Sequence, residues 1–189
     1  MITPEIKNYI IKILTATGLF FSITSCAMFY NPTVEKPSPY IKPTAIEQNF
    51  DISGRFSIKT SEKNDYGNFT WTKLNDHENM ELRSPIGSVA AKITIESKVV
   101  TLETKDKTYT GDDLDKLLQD NLGFTLPMQS LHYWIQGVAL PNVPIDSSLD
   151  DGFVQLGWKV EYLEWTDPNH PKILQCSKGD LTIKLLIEW

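Results

Sequence analysis

From Asp51 onward, apolar and polar residues alternate with a period of two, the mark of strands that bury one face. Phe56 and Ile58 form one such run, Phe69 and Trp71 the next, then Met80 and Leu82. Val89, Ala91, Ile93 and Ile95 follow, with Val100 and Leu102 on a short strand after them. Further on, Val154, Leu156, Trp158, Val160 and Tyr162 alternate with Gln155, Gly157, Lys159 and Glu161, which reads as a single strand. The last run sets Leu181, Ile183, Leu185 and Ile187 on one face against Thr182, Lys184 and Glu188 on the other. Seven or more strands, most of them joined by turn-like residues, predict an antiparallel sheet that curls or closes.

Two segments break this pattern with helical spacing. Thr110 to Asp113 is a cap-like start, after which Leu114, Leu117, Leu118 and Leu122 share one face. Pro127 suits a first helical turn, with Leu131, Trp134 and Ile135 behind it and Gly137 as a stop. Helices this short need the sheet to cover their apolar stripes. A curved sheet with helices on its concave side meets that need, with an interior that is either a filled core or a lipid-sized cavity. Periodicity does not separate the two.

The N-terminus follows different rules. Lys7 and Lys12 precede an apolar stretch, Ile13 to Ile23, of 11 residues. A membrane-spanning helix needs about 20, so the stretch fits the core of an export signal. Ile23-Thr24-Ser25-Cys26 comes directly after it and resembles the bacterial lipobox. That resemblance implies cleavage before Cys26 and lipidation of its thiol and new amine. Three acyl chains would then hold the protein to a membrane permanently. Ala27, where enterobacterial proteins kept at the inner membrane carry Asp, points by the same resemblance to the outer membrane. Pro32, Pro37, Pro39 and Pro43 exclude a helix or central strand, and a chain of this kind reaches roughly 50 Å in polyproline form. The expected organisation is a signal at 1–25, a tether at 26–43 and a β-rich domain at 44–189.

Composition narrows the function classes. A formal charge of −6 without a basic run argues against a nucleic-acid partner. Two cysteines exclude a disulfide-rich scaffold or an all-cysteine zinc site, and Cys176 reads as a small core residue. His77, His132 and His170 share no ligand spacing, and no P-loop, HExxH or GxSxG turn occurs. Asp112-Asp113 fits a helix N-terminus, and Asp150-Asp151-Gly152 a turn. We therefore expect no catalytic residues, no metal and no cofactor beyond the covalent lipid on Cys26.

Several segments, taken in order, resemble the LolB family of outer-membrane lipoprotein receptors. They are Gly54-Arg-Phe56, Phe69-Thr-Trp71, the turn Ser84-Pro-Ile-Gly-Ser88, Tyr109 to Asp113, Pro127 to Gly137, Trp158 to Tyr162, and Ile183-Lys-Leu185. The resemblance spans about residues 50–189 and implies an open, strongly curved antiparallel β-barrel with short helices on its concave face. It also implies a function: accepting mature lipoproteins from the periplasmic carrier LolA by their acyl chains, and releasing them into the outer membrane. A monomer is expected.

Trp71, Trp134 and Trp158 match aromatic positions of the family, where the rings would contact acyl chains; each serves equally well as a core filler. Leu114, Leu118, Leu131 and Ile135 would be helix-borne lining of the same cavity. In the family, the loop matching Pro85-Ile86-Gly87 protrudes with an exposed Leu that helps insertion into the membrane; here that residue is Ile86. A β-branched apolar residue at a turn tip is unexpected on turn chemistry alone. Two other readings remain: a lipid or glycolipid carrier with the same sheet, and a structural envelope lipoprotein with a filled core.

Overall fold

Cross-strand pairs of glycine and phenylalanine set the curvature of the sheet at its centre. In the register of β1 (Phe50–Lys59) and β2 (Asn64–Leu74), Gly54 faces Phe69 and Phe56 faces Gly67. A Cβ on Gly54 would lie 1.9 Å from the carbonyl oxygen of Leu186, and one on Gly67 2.0 Å from that of Arg83. The neighbouring strands therefore close in where a side chain would stop them, and each phenylalanine ring covers the glycine opposite. Gly54, Phe56 and Phe69 belong to the first two segments that carried the family resemblance.

The computed structural model describes Tyr40, Pro43 and residues 46–122 and 127–189, with Leu122 described in its backbone only. The expected signal, Cys26 and almost all of the tether lie outside the described residues, as does the side chain of Leu122. The remaining strands are β3 (His77–Arg83), β4 (Val89–Glu96), β5 (Val99–Thr104), β6 (Thr108–Gly111), β7 (Ser147–Leu149), β8 (Gly152–Gln155), β9 (Trp158–Asp167), β10 (His170–Lys178) and β11 (Leu181–Glu188). They form one antiparallel sheet in the order β6-β5-β4-β3-β2-β1-β11-β10-β9-β8-β7. Each half of this order is a meander of neighbours in sequence. The first and last strands meet in the middle, Gly54 opposite Ile187 and Ile58 opposite Ile183. The sheet stays open, with β6 and β7 as its edges.

Helices α1 (Leu114–Leu122) and α2 (Met128–Trp134) connect the two halves. Asp113 caps α1, its carboxylate accepting from the Lys116 N–H at 3.0 Å. Leu114 and Leu118 of α1, and Met128, Leu131 and Trp134 of α2, are buried in one core with Ile52, Trp71, Ile93, Leu102, Tyr162 and Leu174 from the sheet. The fold is the expected one, an open curved antiparallel barrel with short helices against its inner face. No described helix is long and apolar enough to cross a membrane.

One strand reading needs correction. Residues 154–162 are not a single strand but β8 and β9, joined by a tight turn in which Gln155 pairs with Trp158. Leu156 adopts φ +57 in that turn. Two turn residues shift the parity, so Phe153 and Gln155 are buried while Leu156 is 46% exposed. Cys176 sits on β10 opposite Ile183 and Val160, 2% exposed. Burial, reinforced by the Glu161 carboxylate, pushes its thiol far above the ordinary range. In a chain carrying Cys26→Ala, Cys176 should stay unreactive toward Ellman's reagent until denaturant unfolds the domain. Prompt labelling of the native protein would contradict this placement.

Candidate functional site

The inner faces of β1, β2, β3 and β11 carry Phe56, Ile58, Phe69, Trp71, Met80, Leu82, Ile183 and Leu185, and Leu131 of α2 lies across them. Between them remains a wholly apolar cavity of about 40 Å³. That is room for roughly three water-sized spheres, far below what one full-length acyl chain occupies. Two open grooves flank the helices. One, of about 970 Å³, runs past Leu114, Met128, Glu78 and His132; the other, of about 920 Å³, past Leu156, Trp158, Lys178 and Asp180.

The seven residues expected to share one lining are therefore distributed. Trp71 and Leu131 line the apolar cavity, Leu114 faces the first groove and Trp158 the second. Leu118, Trp134 and Ile135 have no exposed surface and lie inside the core. A packed core with a small residual cavity accommodates a lipid chain only when a helix shifts.

What holds α2 in place is polar, and most of it was not visible in the sequence. Glu78 on β3 is 7% exposed, and its Oε1 accepts from Trp71 Nε1 at 2.8 Å and lies 2.6 Å from His132 Nε2. These two partners offset the desolvation of a buried carboxylate. The ring of His132 in turn lies 5.2 Å from that of Trp71. Gln155 has no exposed surface, and both ends of its amide are satisfied. Its Oε1 accepts from Trp134 Nε1 (3.1 Å) and the Leu140 N–H (2.8 Å), while its Nε2 donates to the carbonyls of Leu140 (3.0 Å) and Val143 (2.9 Å). Read as the outward face of one long strand, Gln155 gave no signal of this role. Its place two residues before the Gly157 turn is the clue that sequence offered.

The C-terminal turn of α2 is equally well tied. The Val138 N–H donates to the Tyr133 carbonyl and the Gly137 N–H to that of Trp134, a Schellman pair that requires the left-handed φ of +77 at Gly137. The expected stop is thus in place. The Tyr162 hydroxyl donates to the Trp134 carbonyl at 2.9 Å. Burial raises the ionisation of that phenol well above its usual range, which keeps it a donor at any physiological pH. Tyr40 and Pro43, from the end of the segment expected to be tether, also pack here, with the Tyr40 hydroxyl donating to the Gly137 carbonyl at 2.7 Å.

The loop between β3 and β4 is built differently. Ser84 and Ser88 close it through the Ser84 N–H to the Ser88 carbonyl (2.8 Å), and the Gly87 N–H donates to the Ser84 carbonyl (2.9 Å). Arg83 Nη1 donates to the Gly87 carbonyl at 2.9 Å. These bonds close the turn on itself, and Ile86 is left 91% exposed at its tip. The reading in which Ile86 folds back onto the sheet is overturned. Val89 and Tyr66 near the same end of the strands are also largely exposed. The β3–β4 turn and the β7–β8 turn, whose Asp150 carbonyl accepts from the Tyr40 N–H, leave the sheet in opposite directions along β1.

Comparison with known proteins places the same residues in a family. A family model described as outer membrane lipoprotein LolB matches residues 48–189. The outer-membrane lipoprotein LolB of Marinomonas sp. (strain MWYL1) is 31% identical over 188 residues, covering 94% of this chain and 95% of its own. That of Chromobacterium violaceum is 28% identical over 173 residues, 90% of this chain and 94% of its own. The LolB of Neisseria meningitidis serogroup A is 25% identical over 178 residues, 93% of this chain and 89% of its own.

Proposed function

The chain belongs to the LolB family of outer-membrane lipoproteins, and from that premise we propose that it is a lipid-anchored receptor at the periplasmic face of the outer membrane. It accepts mature lipoproteins from the periplasmic carrier LolA and inserts them into the bilayer. The lipid on Cys26 holds it there. The observation that carries the proposal is Ile86: a large aliphatic side chain displayed to solvent on a loop whose own hydrogen bonds prevent it from turning back. At 91% it is the most exposed of the large hydrophobic side chains described, it has Val89 and Tyr66 exposed near the same end of the strands, and a lipid surface offers it a partner.

The cargo's acyl chains would enter between α2 and the sheet, where the existing apolar cavity marks the place at which the two separate. Each methylene taken from water contributes about 0.8 kcal/mol, so a chain bound there replaces the core contacts it displaces. No covalent step is needed. Transfer runs downhill if this site binds the chains better than the carrier does and the bilayer binds them better still. A second reading, an envelope lipoprotein with a filled core that binds other proteins, draws on the small size of the cavity.

The deciding experiment is transfer in vitro. The Cys26→Ala chain is mixed with LolA carrying a triacylated lipoprotein, and the cargo is followed by pull-down. Under the receptor reading the cargo leaves LolA and co-purifies with this protein. Cargo that stays on LolA of the same species, with this domain folded, would reject the receptor role, and binding of free lipid would then decide between a lipid carrier and the filled-core reading.

A further inference from the structure

We infer that Tyr40 is a positioning residue for α2, so that Tyr40, Pro43 and Glu47 act as a clasp controlling when the apolar cavity opens. The inference rests on the reading of that cavity as the acyl-chain site. The geometry is a grip on the last turn of α2 from two points of one segment. Tyr40 is fixed by its N–H to the Asp150 carbonyl (2.9 Å) and by ring stacking on Tyr162 at 5.3 Å and 16°. Its hydroxyl then reaches Gly137, the residue that terminates α2. Seven residues on, Glu47 and Gln136 bond reciprocally: the Glu47 N–H donates to Gln136 Oε1 at 2.6 Å, and Gln136 Nε2 donates to the Glu47 carbonyl at 3.1 Å.

Between these points Pro43 is buried against the same turn. A Cβ on Gly137 would meet Pro43 Cγ at 2.9 Å and the Trp165 ring at 2.6 Å. The contact is therefore built around the absence of a side chain at Gly137. The cluster also contains Trp165 Nε1, a buried donor without a hydrogen-bond partner. Release of the clasp would hydrate that donor, so the closed state holds one unmet bond in favour of opening.

The last turn of α2 follows directly on Leu131, which closes one side of the apolar cavity. Freeing the Gly137 carbonyl and the Gln136 side chain lets the turn fray, and a frayed turn no longer presses Leu131 onto the sheet. The clasp segment is also the one that leads back to Cys26.

Tyr40→Phe removes the hydroxyl and keeps the stacked ring, which makes it the informative variant. In the Cys26→Ala background without ligand, amide exchange at Leu131–Val138 should accelerate about fivefold, the effect of one hydrogen bond, while β1–β3 exchange stays unchanged. Adding Gln136→Leu should increase it further. Uptake of an environment-sensitive fluorescent fatty acid should quicken in the same order at equal folded fraction, a readout that a merely structural tyrosine would not move. Unchanged exchange in both variants overturns the clasp. Faster exchange with unchanged uptake overturns its control of the cavity. A wild-type protein that takes up no fatty acid, alongside faster exchange in the variants, rejects the acyl-chain reading and leaves the clasp standing.

Discussion

Ile86→Glu is expected to leave acceptance of a lipoprotein from LolA intact and to abolish its delivery to liposomes. On insertion scales an ionised side chain at hydrocarbon depth costs about 3 kcal/mol, whereas isoleucine is favoured by a few tenths. The difference lowers partitioning of the tip by roughly two orders of magnitude. Folding should be untouched, because the 91% exposed side chain makes no packing contribution and the turn is held by Ser84, Ser88, Arg83 and Gly87. Ile86→Leu should retain delivery, since it changes the branching and keeps the apolar tip. Delivery by Ile86→Glu at the wild-type rate, measured as lipoprotein recovered with floated liposomes, would remove the loop from the mechanism.

Trp134→Ala should be the most destabilising single substitution in α2. The side chain is fully enclosed, its ring lies 6.2 Å from that of Trp158, and its Nε1 completes the hydrogen bonding of Gln155. Truncating a buried tryptophan costs about 3–5 kcal/mol. The lost donor adds about 1 kcal/mol, since Gln155 Oε1 keeps the Leu140 N–H. Against a total stability of about 5–15 kcal/mol for a domain, that is a large share. Urea unfolding should show a much lower midpoint at an unchanged slope. Trp134→Phe, which keeps a smaller aromatic filler and loses the donor, should fall between Trp134→Ala and wild type. A midpoint for Trp134→Ala within experimental error of wild type would mean that the indole is dispensable to the core. Of the two roles offered for this ring from sequence, acyl-chain contact and core filler, its full enclosure favours the second.

What was readable in the chain and what was not divides along physical lines. Alternation marks burial, so the faces of β1, β2, β4 and β11 follow from sequence: Ile52, Phe69, Trp71, Ile93 and Ile183 are all buried as that pattern requires. Alternation is blind to a two-residue turn that keeps the rhythm while reversing the chain, and Leu156 and Gly157 are such a turn. β10 was read from sequence only around Cys176, and its first half is blurred for a related reason. Pro171 and the register shifts from His170 to Leu174 break its pairing with β9, and with it the pattern. The exposed tip at Ile86 was legible because an aliphatic residue violates turn chemistry. Glu78 and Gln155 were not, because a buried polar residue looks like a solvated one until its partners, 54 residues away at His132 and 15 at Leu140, are brought to it. The clasp at Tyr40 was hidden in the same way. A proline-rich stretch reads as a spacer, and nothing local reveals that its last part is bonded to a turn 97 residues downstream.

The pairing of β1 with β11 has a consequence for how the molecule is made. Each half-meander can assemble from neighbouring hairpins as soon as its own strands are available. The seam between Ser53–Lys59 and Thr182–Glu188 must wait for β11, more than 120 residues after β1. Until β11 is made, the first half therefore carries β1 as a bare, half-apolar edge, the kind that recruits other chains. The order of the strands sets the timing: the protein that would hand over insoluble cargo is itself open to aggregation until β11 closes the seam, and a chaperone that protects it in transit has β1 to cover.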